Sequence, residues 1–297
     1  MAGSPVGPVP VRPTFCGRPV PVDRALVMAI INRTPDSFYD RGSYFAVDAA
    51  LERVDAAVAE GADVVDVGGV KAGPGQEVDA TEEIARTVPF IAQVRDRHPG
   101  LLISVDTWRA SVAEAAVDAG ADLINDTWAG ADPDLPRIAA ATGAGLVCSH
   151  TGGAVPRTRP FRVRYPDVVA DVRDALAAAA EAAFAAGVRE DGIVIDPTHD
   201  FGKNTHHGLA LLRHLHELVG TGWPVLMALS NKDFIGETLD AGLEERVAGT
   251  LAATALAAHA GARMFRVHQV ADTRRVVETV ASIDGVRPPA RVVRGLA

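Results

Sequence analysis

The amino-acid sequence predicts a (β/α)8 barrel, an α/β fold in which eight parallel strands form a ring inside a layer of helices. Two observations support this prediction. Short apolar runs rich in Val, Ile and Leu recur eight times from residue 25 onward. Each run is followed by a longer segment whose apolar residues have helical spacing. Continuous apolar runs are typical of parallel strands buried on both faces.

The strand and helix segments alternate along the chain. The predicted strands are residues 25–31, 63–67, 101–105, 122–124, 145–148, 192–195, 224–229 and 263–267. The predicted helices are residues 46–60, 81–97, 109–119, 133–142, 166–186, 205–219, 243–260 and 272–282. Four glycines stand just after helical segments, where a left-handed residue commonly ends a helix: Gly61, Gly120, Gly187 and Gly261. The pattern therefore predicts eight strand–helix units.

An open doubly wound sheet is the main alternative fold. It favours a G-x-G-x-x-G turn after its first strand, whereas the first strand here runs into INRTP at residues 31–35. No domain boundary is visible after residue 25, so we expect residues 25–297 to form one barrel domain. Residues 1–24 are rich in proline and valine and are predicted to form a loose tail and a short hairpin around Cys16 and Gly17.

Composition excludes several classes of protein. Hydrophobic residues make up 48% of the 297 residues, which is enough for a large core and excludes a disordered chain. The net charge of −9 and the aromatic content of 5% argue against a nucleic-acid-binding surface. The sequence contains two cysteines and no uncharged apolar window of about 20 residues. We therefore expect a cytoplasmic protein that binds neither nucleic acid nor a membrane.

Polar residues stand at the end of every predicted strand. In a (β/α)8 barrel these positions meet at one end of the ring, where active sites lie. Strand ends and helix caps favour Asp, Ser, Thr and Asn in any protein, which accounts for Thr107 and Asp126. That preference does not account for Asn125, Lys232 or Arg266. We therefore expect this end of the barrel to carry the functional site.

Three of these residues indicate a flat heterocycle as the ligand. Asp106, Asn125 and Asp196 end strands three, four and six. Carboxylates and an amide that converge in a pocket can bind a ring with several N–H donors and a carbonyl.

The remaining residues indicate that the ligand carries phosphate. Lys232, Arg266 and His268 lie on or after strands seven and eight, where cationic groups suit a phosphate. Asn32 ends strand one, which neighbours strand eight in a closed barrel, and its amide oxygen suits Mg²⁺ that bridges a diphosphate. These residue types predict an anionic, phosphorylated heterocycle but no particular reaction.

Six segments of the sequence resemble the dihydropteroate synthase family. They are NRTPDSF at residues 32–38, SVDT at 104–107, IND at 124–126, FGK at 201–203, RVAGTLAAT at 246–254 and RVH at 266–268. The segments occur in the family's order, and the resemblance extends over about residues 25 to 285. It implies a pterin-binding barrel and a transferase of folate biosynthesis, which condenses dihydropterin pyrophosphate with p-aminobenzoate and releases diphosphate.

The resemblance also implies a role for each matching residue. The pterin-binding residues would be Asp106, Asn125, Asp196 and Lys232. The diphosphate-binding residues would be Asn32, Arg266 and His268, with Asn32 also the Mg²⁺ ligand. Phe201 and Ser230 would lie on the side of the second substrate. The family further implies a homodimer and catalysis by positioning and electrostatics rather than by a covalent nucleophile.

The sequence departs from the family pattern mainly around the second substrate. The loop after strand two usually reads GGESTRPG and is GGVKAGPG at residues 68–75, so that Ala72 and Gly73 replace a threonine and an arginine. Asn231 replaces an arginine, Thr198 replaces a glycine, and His199 replaces part of a family loop. Each lost charged hydrogen bond costs about 1.5–3 kcal/mol, so the synthase reaction can be suppressed while pterin binding survives.

Three functions therefore remain in view. The first is a dihydropteroate synthase of altered efficiency. The second is a paralogue that binds a pterin with weak or no synthase activity, similar to the divergent second member of this family in actinobacteria. The third is a folate-binding methyltransferase barrel, which is disfavoured because such barrels need no diphosphate site.

Four histidines lie close together in the sequence, at His206, His207, His214 and His216. Zinc needs its ligands on one face, and residues 207 and 214 are two helical turns apart. We therefore expect these side chains to be solvated rather than to form a zinc site.

Overall fold

The structure is a computed structural model that describes residue 12 and residues 14–34, 47–158 and 163–295. A short antiparallel hairpin precedes the barrel, formed by β1 (Thr14–Phe15) and β2 (Arg18–Pro19). Cys16 and Gly17 make its turn with positive φ angles of 51° and 73°. The rest of the tail, residues 1–11 and 13, lies outside the described residues.

Eight parallel strands follow the hairpin and close into a ring. They are β3 (Leu26–Asn32), β4 (Val64–Gly68), β5 (Leu102–Asp106), β6 (Leu123–Asp126), β7 (Gly145–Ser149), β8 (Ile193–Asp196), β9 (Leu226–Met227) and β10 (Met264–Val267). Neighbouring strands pair in the order β8-β7-β6-β5-β4-β3-β10-β9. A parallel bridge between Ile195 and Val225 joins the two ends of this order. The predicted (β/α)8 barrel is therefore confirmed.

Helices connect the strands on the outside of the ring. They are α1 (Val47–Ala59), α2 (Ala80–Arg97), α3 (Ala110–Asp118), α4 (Leu135–Thr142), α5 (Val168–Ala185), α6 (Thr205–Arg213), α7 (Leu215–Val219), α8 (Asp233–Leu239), α9 (Val247–His259) and α10 (Val270–Ile283). The four glycines predicted to end helices all have positive φ angles, between 97° and 115°.

Two details of the helix prediction are wrong. Residues 205–219 form two helices that break at His214, where φ is −110° and ψ is 22°. Leu211, Leu215 and Leu218 remain buried on one side across this break, so the apolar spacing gave no sign of it. Helix α8 was not predicted, because its seven residues are too few to show a helical period.

The alternation of side chains along each strand divides the barrel into layers. Residues such as Val27, Val65 and Ile103 point outward and pack in one large core with the helices. Alternate residues point into the barrel, since strand side chains have a period of two. At its lower end the barrel is filled by an apolar layer contributed by all eight strands, formed by Leu26, Met28, Val64, Leu102, Leu123, Val147, Val194, Leu226 and Met264. Phe15 of the hairpin packs against this layer and closes that end.

A polar layer lies two residues further along the same strands. It contains Asp66, Ser104, Asn125 and Arg266, which stand two positions after Val64, Leu102, Leu123 and Met264. The next inward-facing positions include Asn32, Asp106 and His268, and Asp196 stands two positions after Val194, all at the carboxyl ends of the strands. The period of two therefore places the site residues predicted on the strands above the apolar layer, at one end of the barrel.

Among the described residues, no helix combines the length and the apolar character needed to cross a bilayer. Cys16 and Cys148 are both free thiols, and burial raises the pKa of each.

Candidate functional site

A cavity of about 550 Å³ opens at the carboxyl ends of the barrel strands. Seven of the predicted site residues line it: Asn32, Asp106, Phe201, Ser230, Lys232, Arg266 and His268. Asn125 and Asp196 are buried, with 3% and 4% of their surface exposed, and are not among its lining residues. The structure thus brings most of the predicted set around one cavity. The other two side chains are buried and do not line it.

Asp66 holds together the polar layer beneath the cavity. This fully buried carboxylate accepts hydrogen bonds from Ser104 Oγ at 2.6 Å, from Asn125 Nδ2 at 3.1 Å and from Arg266 Nε at 2.6 Å. The donors belong to β5, β6 and β10. One carboxylate on β4 therefore orients an amide and a guanidinium that the sequence assigned to ligand binding.

Asp106 is the second carboxylate that contacts Arg266. Its Oδ2 accepts from Arg266 Nη2 at 2.7 Å, and its Oδ1 accepts from the Thr127 hydroxyl at 2.7 Å. Burial raises the pKa of Asp106, an effect that the guanidinium of Arg266 opposes and the carboxylate of Asp66 increases. Burial tends to lower the pKa of Arg266, but the two carboxylates outweigh it and raise that pKa. Arg266 is therefore a cation held between two acids.

Asp196 ends β8 in a tight turn. Its Oδ1 accepts the backbone N–H of Thr198 at 2.7 Å, and Thr198 adopts a left-handed φ of 48°. Burial raises the pKa of Asp196 to about 6, although the Thr198 N–H and the ammonium of Lys232 favour the ionised form. The carboxyl group of Asp196 consequently changes its ionisation state at a pH close to neutral.

His268 carries no positive charge at neutral pH. Burial and the neighbouring cations Arg266, Lys232 and Arg53 lower its pKa to about 3. Of the three residues that the resemblance assigns to the diphosphate, Asn32 and His268 are thus neutral and Arg266 is already paired with two carboxylates. This arrangement offers an anion much less attraction than three unpaired donors would.

The oxygens beside Gly68 fit a magnesium ion that arrives with a phosphate. A Cβ atom built on Gly68 would lie 3.8 Å from Asp106 Oδ2 and 4.0 Å from Asn32 Oδ1. The absence of a side chain at Gly68 therefore leaves both oxygens facing the same space. Mg²⁺ prefers oxygen ligands and is commonly completed by water and substrate phosphate.

Lys232 pairs with an acid that the sequence analysis did not single out. Its Nζ lies 2.9 Å from Asp200 Oδ2 and 5.8 Å from the centre of the Phe201 ring. Phe201 in turn packs edge-on against Trp128, with ring centres 4.6 Å apart. The cation predicted to bind the pterin ring is thus neutralised within the chain itself.

Ser230 and Asn231 point toward other residues of the cavity wall. The Ser230 hydroxyl donates to Gln269 Oε1 at 3.0 Å, and it accepts the backbone N–H of His268 at 3.2 Å. Asn231 has a left-handed φ of 55°, and its backbone N–H donates to the Thr250 hydroxyl at 3.1 Å. Asparagine tolerates this backbone conformation better than most residues.

The loop after β4 contributes small side chains to the cavity. Ala72 and Gly73 both line it, at the positions where the family pattern has threonine and arginine. A Cβ built on Gly73 would meet only Lys71 Cε, at 4.0 Å. The space that an arginine would use is therefore present, but the guanidinium is not.

Three groups that could hold a metal ion do come together outside the cavity. Within the described part of the chain, His214, His216 and Glu217 form the one group of three such residues with ligand atoms within 4.8 Å of one another. They follow the far end of α6, whose first residue lines the cavity. Arg173 Nη1 also lies 3.0 Å from Glu217 Oε2, so this acid already has a cationic partner.

Comparison with known proteins identifies the family. Residues 28–268 match the family model described as pterin binding enzyme. The chain belongs to the pterin-binding enzyme family. Its fold is also that of dihydropteroate synthases, since a crystal structure from Yersinia pestis with a sulfonamide drug superposes with a TM-score of 0.86 at 33% identity, covering 92% of this chain and 99% of that one.

Similar members of this family fall into two groups. "Inactive dihydropteroate synthase 2" of Mycobacterium leprae is 69% identical over 287 residues, covering 95% of this chain and 99% of the relative. "Dihydropteroate synthase" of Bacillus subtilis is 40% identical over 258 residues, covering 86% and 87%. The solved structure of Mycobacterium tuberculosis Rv1207 is 58% identical with a TM-score of 0.73, covering 93% and 99%. This dihydropteroate synthase-like chain is thus more similar to the paralogue named inactive than to the Bacillus enzyme.

Sequence reasoning missed Asp66 and Asp200 as parts of the site. Asp66 did give a signal, because it is a carboxylate in the middle of an apolar strand. Asp200 gave none, since its pairing with Lys232 depends on how two separate loops fold. His199, which departs from the family pattern, lines the cavity.

Proposed function

We propose that this protein binds a pterin at the carboxyl end of its barrel and has weak or no dihydropteroate synthase activity. The observation that carries the proposal is that Asp66 holds Asn125 and Arg266, that Arg266 also donates to Asp106, and that Asp196 lies near enough to feel the charges of Arg266 and Lys232. The carboxylates would accept the N–H donors of the pterin ring edge, and the amide would complete its recognition. Membership of the pterin-binding family supports the same ligand.

Two charge arrangements argue against efficient transfer to p-aminobenzoate. Arg266 already pairs with Asp66 and Asp106, and Lys232 already pairs with Asp200. A diphosphate or a benzoate would have to compete with these carboxylates. The small residues Ala72 and Gly73 supply no replacement donor, and the name of the Mycobacterium leprae relative agrees with a loss of activity.

Magnesium, self-association and location complete the proposal. Asn32 would contribute an amide oxygen to Mg²⁺ that is bound together with a diphosphate. When bound, the ion would neutralise phosphate charge, and Asn32 would help to hold it beside the ring that Asp106 would bind. By its resemblance to the family we propose a cytoplasmic homodimer whose ligands are dihydropterin pyrophosphate and, at most weakly, p-aminobenzoate.

Parallel measurements of binding and turnover test this function. Calorimetry with dihydropterin pyrophosphate and Mg²⁺ should show binding, and the same protein with added p-aminobenzoate should form little or no dihydropteroate. Asp196→Asn should weaken binding, whereas Asp126→Asn should not, because both oxygens of Asp126 accept backbone N–H groups, from Trp128 and Gly130. Absence of binding contradicts the proposal, and rapid product formation shows an active synthase instead.

A further inference from the structure

The loop between β8 and α6 changes the chemistry of the cavity beside Phe201. Its left-handed Thr198, whose hydroxyl donates to the backbone oxygen of Asp196 at 3.0 Å, makes a tight turn directly before His199 and Asp200. Both of these residues line the cavity. The turn therefore brings an imidazole and a carboxylate to the side that the family uses for its second substrate.

Acidic side chains outnumber basic ones among the cavity-lining residues that follow β8 and β9, where Asp200, Asp233 and Glu237 stand against Lys203 and Lys232. Asp200 neutralises Lys232, and Glu237 accepts a hydrogen bond from the uncharged hydroxyl of Thr205. Asp233 is balanced by Arg246 at 2.8 Å. Among these residues the acid without a cationic partner in the described part of the chain is Glu237, while Lys71 lines the cavity from the loop after β4.

Lys203 is the cation that this loop itself adds to the cavity lining. Its ammonium already donates hydrogen bonds to backbone oxygens of the protein. Its Nζ donates to the backbone oxygen of His150 at 2.7 Å, and it also contacts those of Phe201 at 3.1 Å and Thr198 at 3.3 Å. Burial lowers the pKa of Lys203 to about 7, so it is only partly charged at neutral pH. It compensates little of the negative charge.

His199 adds a neutral polar group without an internal partner. It is 3% exposed, its ring lies 5.4 Å from that of Phe234, and neither ring nitrogen makes a hydrogen bond of normal geometry to the described residues, although the backbone of Gly208 is near enough to oppose the fall in its pKa. Burial lowers its pKa to about 3, so the ring is neutral and offers one acceptor and one donor. Buried polar groups are normally satisfied, which points to a ligand group that bonds to this ring.

We infer that the second subsite takes an uncharged or cationic amine rather than an aminobenzoate anion. The inference rests on the proposed pterin binding, because the pterin would form one wall of the subsite. A benzoate would compete with Asp200 for Lys232 and would lie near Glu237. A ligand with N–H donors in place of the carboxylate could instead donate to Asp200 and to the acceptor nitrogen of His199.

Three probes of nearly equal shape test this preference. They are 4-aminobenzoate, 4-aminobenzamide and 4-aminobenzamidine, which carry a negative, a zero and a positive charge. Each is titrated calorimetrically into protein saturated with 6-hydroxymethylpterin at moderate salt. We expect the amidine to bind at least about tenfold more tightly than the benzoate, with the amide between them.

Two variants connect the preference to the loop. Asp200→Asn keeps the shape of the side chain and should reduce the difference between amidine and benzoate at least about threefold. Glu181→Gln makes the same charge change at an exposed position of α5 and should leave the difference unchanged. Benzoate binding as tight as that of the amidine, an undiminished difference between amidine and benzoate in Asp200→Asn, or no binding of any probe would each overturn the inference.

Failure of the proposed function gives a separate result. In that case 6-hydroxymethylpterin itself does not bind, which a direct titration shows before any amine is added. The three probes are then compared on the ligand-free protein, where Asp200, Glu237 and His199 are still present. The same order is expected there, and its absence would overturn the inference.

Discussion

Arg266 Nε donates to Asp66 Oδ2 across 2.6 Å, although the two residues are 200 positions apart in the chain. The pair lies inside the barrel, directly above the apolar layer that fills its lower end. Because Asp66 also accepts from Ser104 and Asn125, a single carboxylate links four strands. The stability of the barrel and the shape of the proposed pterin site therefore depend on the same group.

Replacement of Asp66 by asparagine is expected to lower the free energy of unfolding by about 3–5 kcal/mol. The variant leaves the buried guanidinium of Arg266 with Asp106 as its hydrogen-bonded acid, and removing one member of a buried ion pair leaves charge less compensated. Urea denaturation measures the change. Asp55→Asn is the control, since Asp55 is 33% exposed and pairs with Arg97 at the surface, where about 1 kcal/mol or less is expected. Equal losses of unfolding free energy in the two variants would show that the buried pair of Asp66 and Arg266 stabilises the fold no more than a surface pair does.

Gly73→Arg is expected to improve binding of p-aminobenzoate to the pterin-saturated protein by about tenfold or more. It restores a charged donor that contributes about 1.5–3 kcal/mol, in a space where a Cβ would meet only Lys71 Cε at 4.0 Å. The free energy of unfolding should change by less than about 0.5 kcal/mol.

The matched control for that variant is Gly100→Arg, because a Cβ at Gly100 would meet nothing within 4 Å and the added charge is the same. Gly100 lies between α2 and β5, at the other end of the barrel. If both arginines improved binding equally, a general effect of net charge would be responsible rather than a local contact.

Pterin affinity is expected to fall as the pH is lowered through about 6. The pKa of Asp196 is raised to about 6, so its ionised form, which accepts from N–H donors, is lost below that pH. Affinity should change little above pH 7 and should decrease by up to about tenfold per pH unit well below 6. Fluorescence titration of 6-hydroxymethylpterin between pH 5 and 8 measures the profile.

Asp126 provides the control for the pH profile, because burial raises its pKa to about 6 as well while its two oxygens accept the backbone N–H groups of Trp128 and Gly130. Asp126→Asn should therefore keep the pH dependence, and Asp196→Asn should weaken binding and reduce the pH dependence to the part that Asp106 contributes, since the pKa of Asp106 is also raised to about 6. The opposite result would assign the titration to a different group. The same raised pKa means that ionising Asp196 costs folding free energy above pH 6, and that this cost disappears as the pH falls.

Phe15→Ala is expected to destabilise the fold by about 3–5 kcal/mol without changing pterin affinity. Phe15 is 6% exposed and fills the lower end of the barrel, so truncation leaves a void far from the cavity. Val22→Ala, at a residue that is 48% exposed, should cost less than about 0.5 kcal/mol. If the Phe15→Ala protein folded stably but bound the pterin more weakly, packing at the lower end of the barrel would not be independent of the pterin site at the carboxyl end.

The sequence was sufficient to predict the barrel because its main signals are local. Each strand is a continuous apolar run, and the residue that follows it stands at the functional end whatever the details of the loops. Side-chain direction was also predictable in part: once Val64 faces inward, Asp66 must do so too. The layer of polar residues above the apolar floor follows from that alternation.

The contacts made by loops could not be predicted in the same way. The pairing of Asp200 with Lys232 joins residues on two different loops, and no periodicity along the chain relates them. The break at His214 was hidden because the leucines on either side keep their spacing. Asn125 and Asp196 do stand at strand ends as predicted. Whether such a side chain lines the cavity or is buried away from it depends on its neighbours, which the sequence does not show.

The position of Asp66 has a consequence for how this scaffold can diversify. A substitution that damages this carboxylate harms folding first, so any descendant that still folds inherits an almost unchanged cavity floor. The loops above carry no such penalty and are free to acquire new chemistry. A barrel of this kind can abandon one reaction and take up another ligand while its innermost polar residues stay in place.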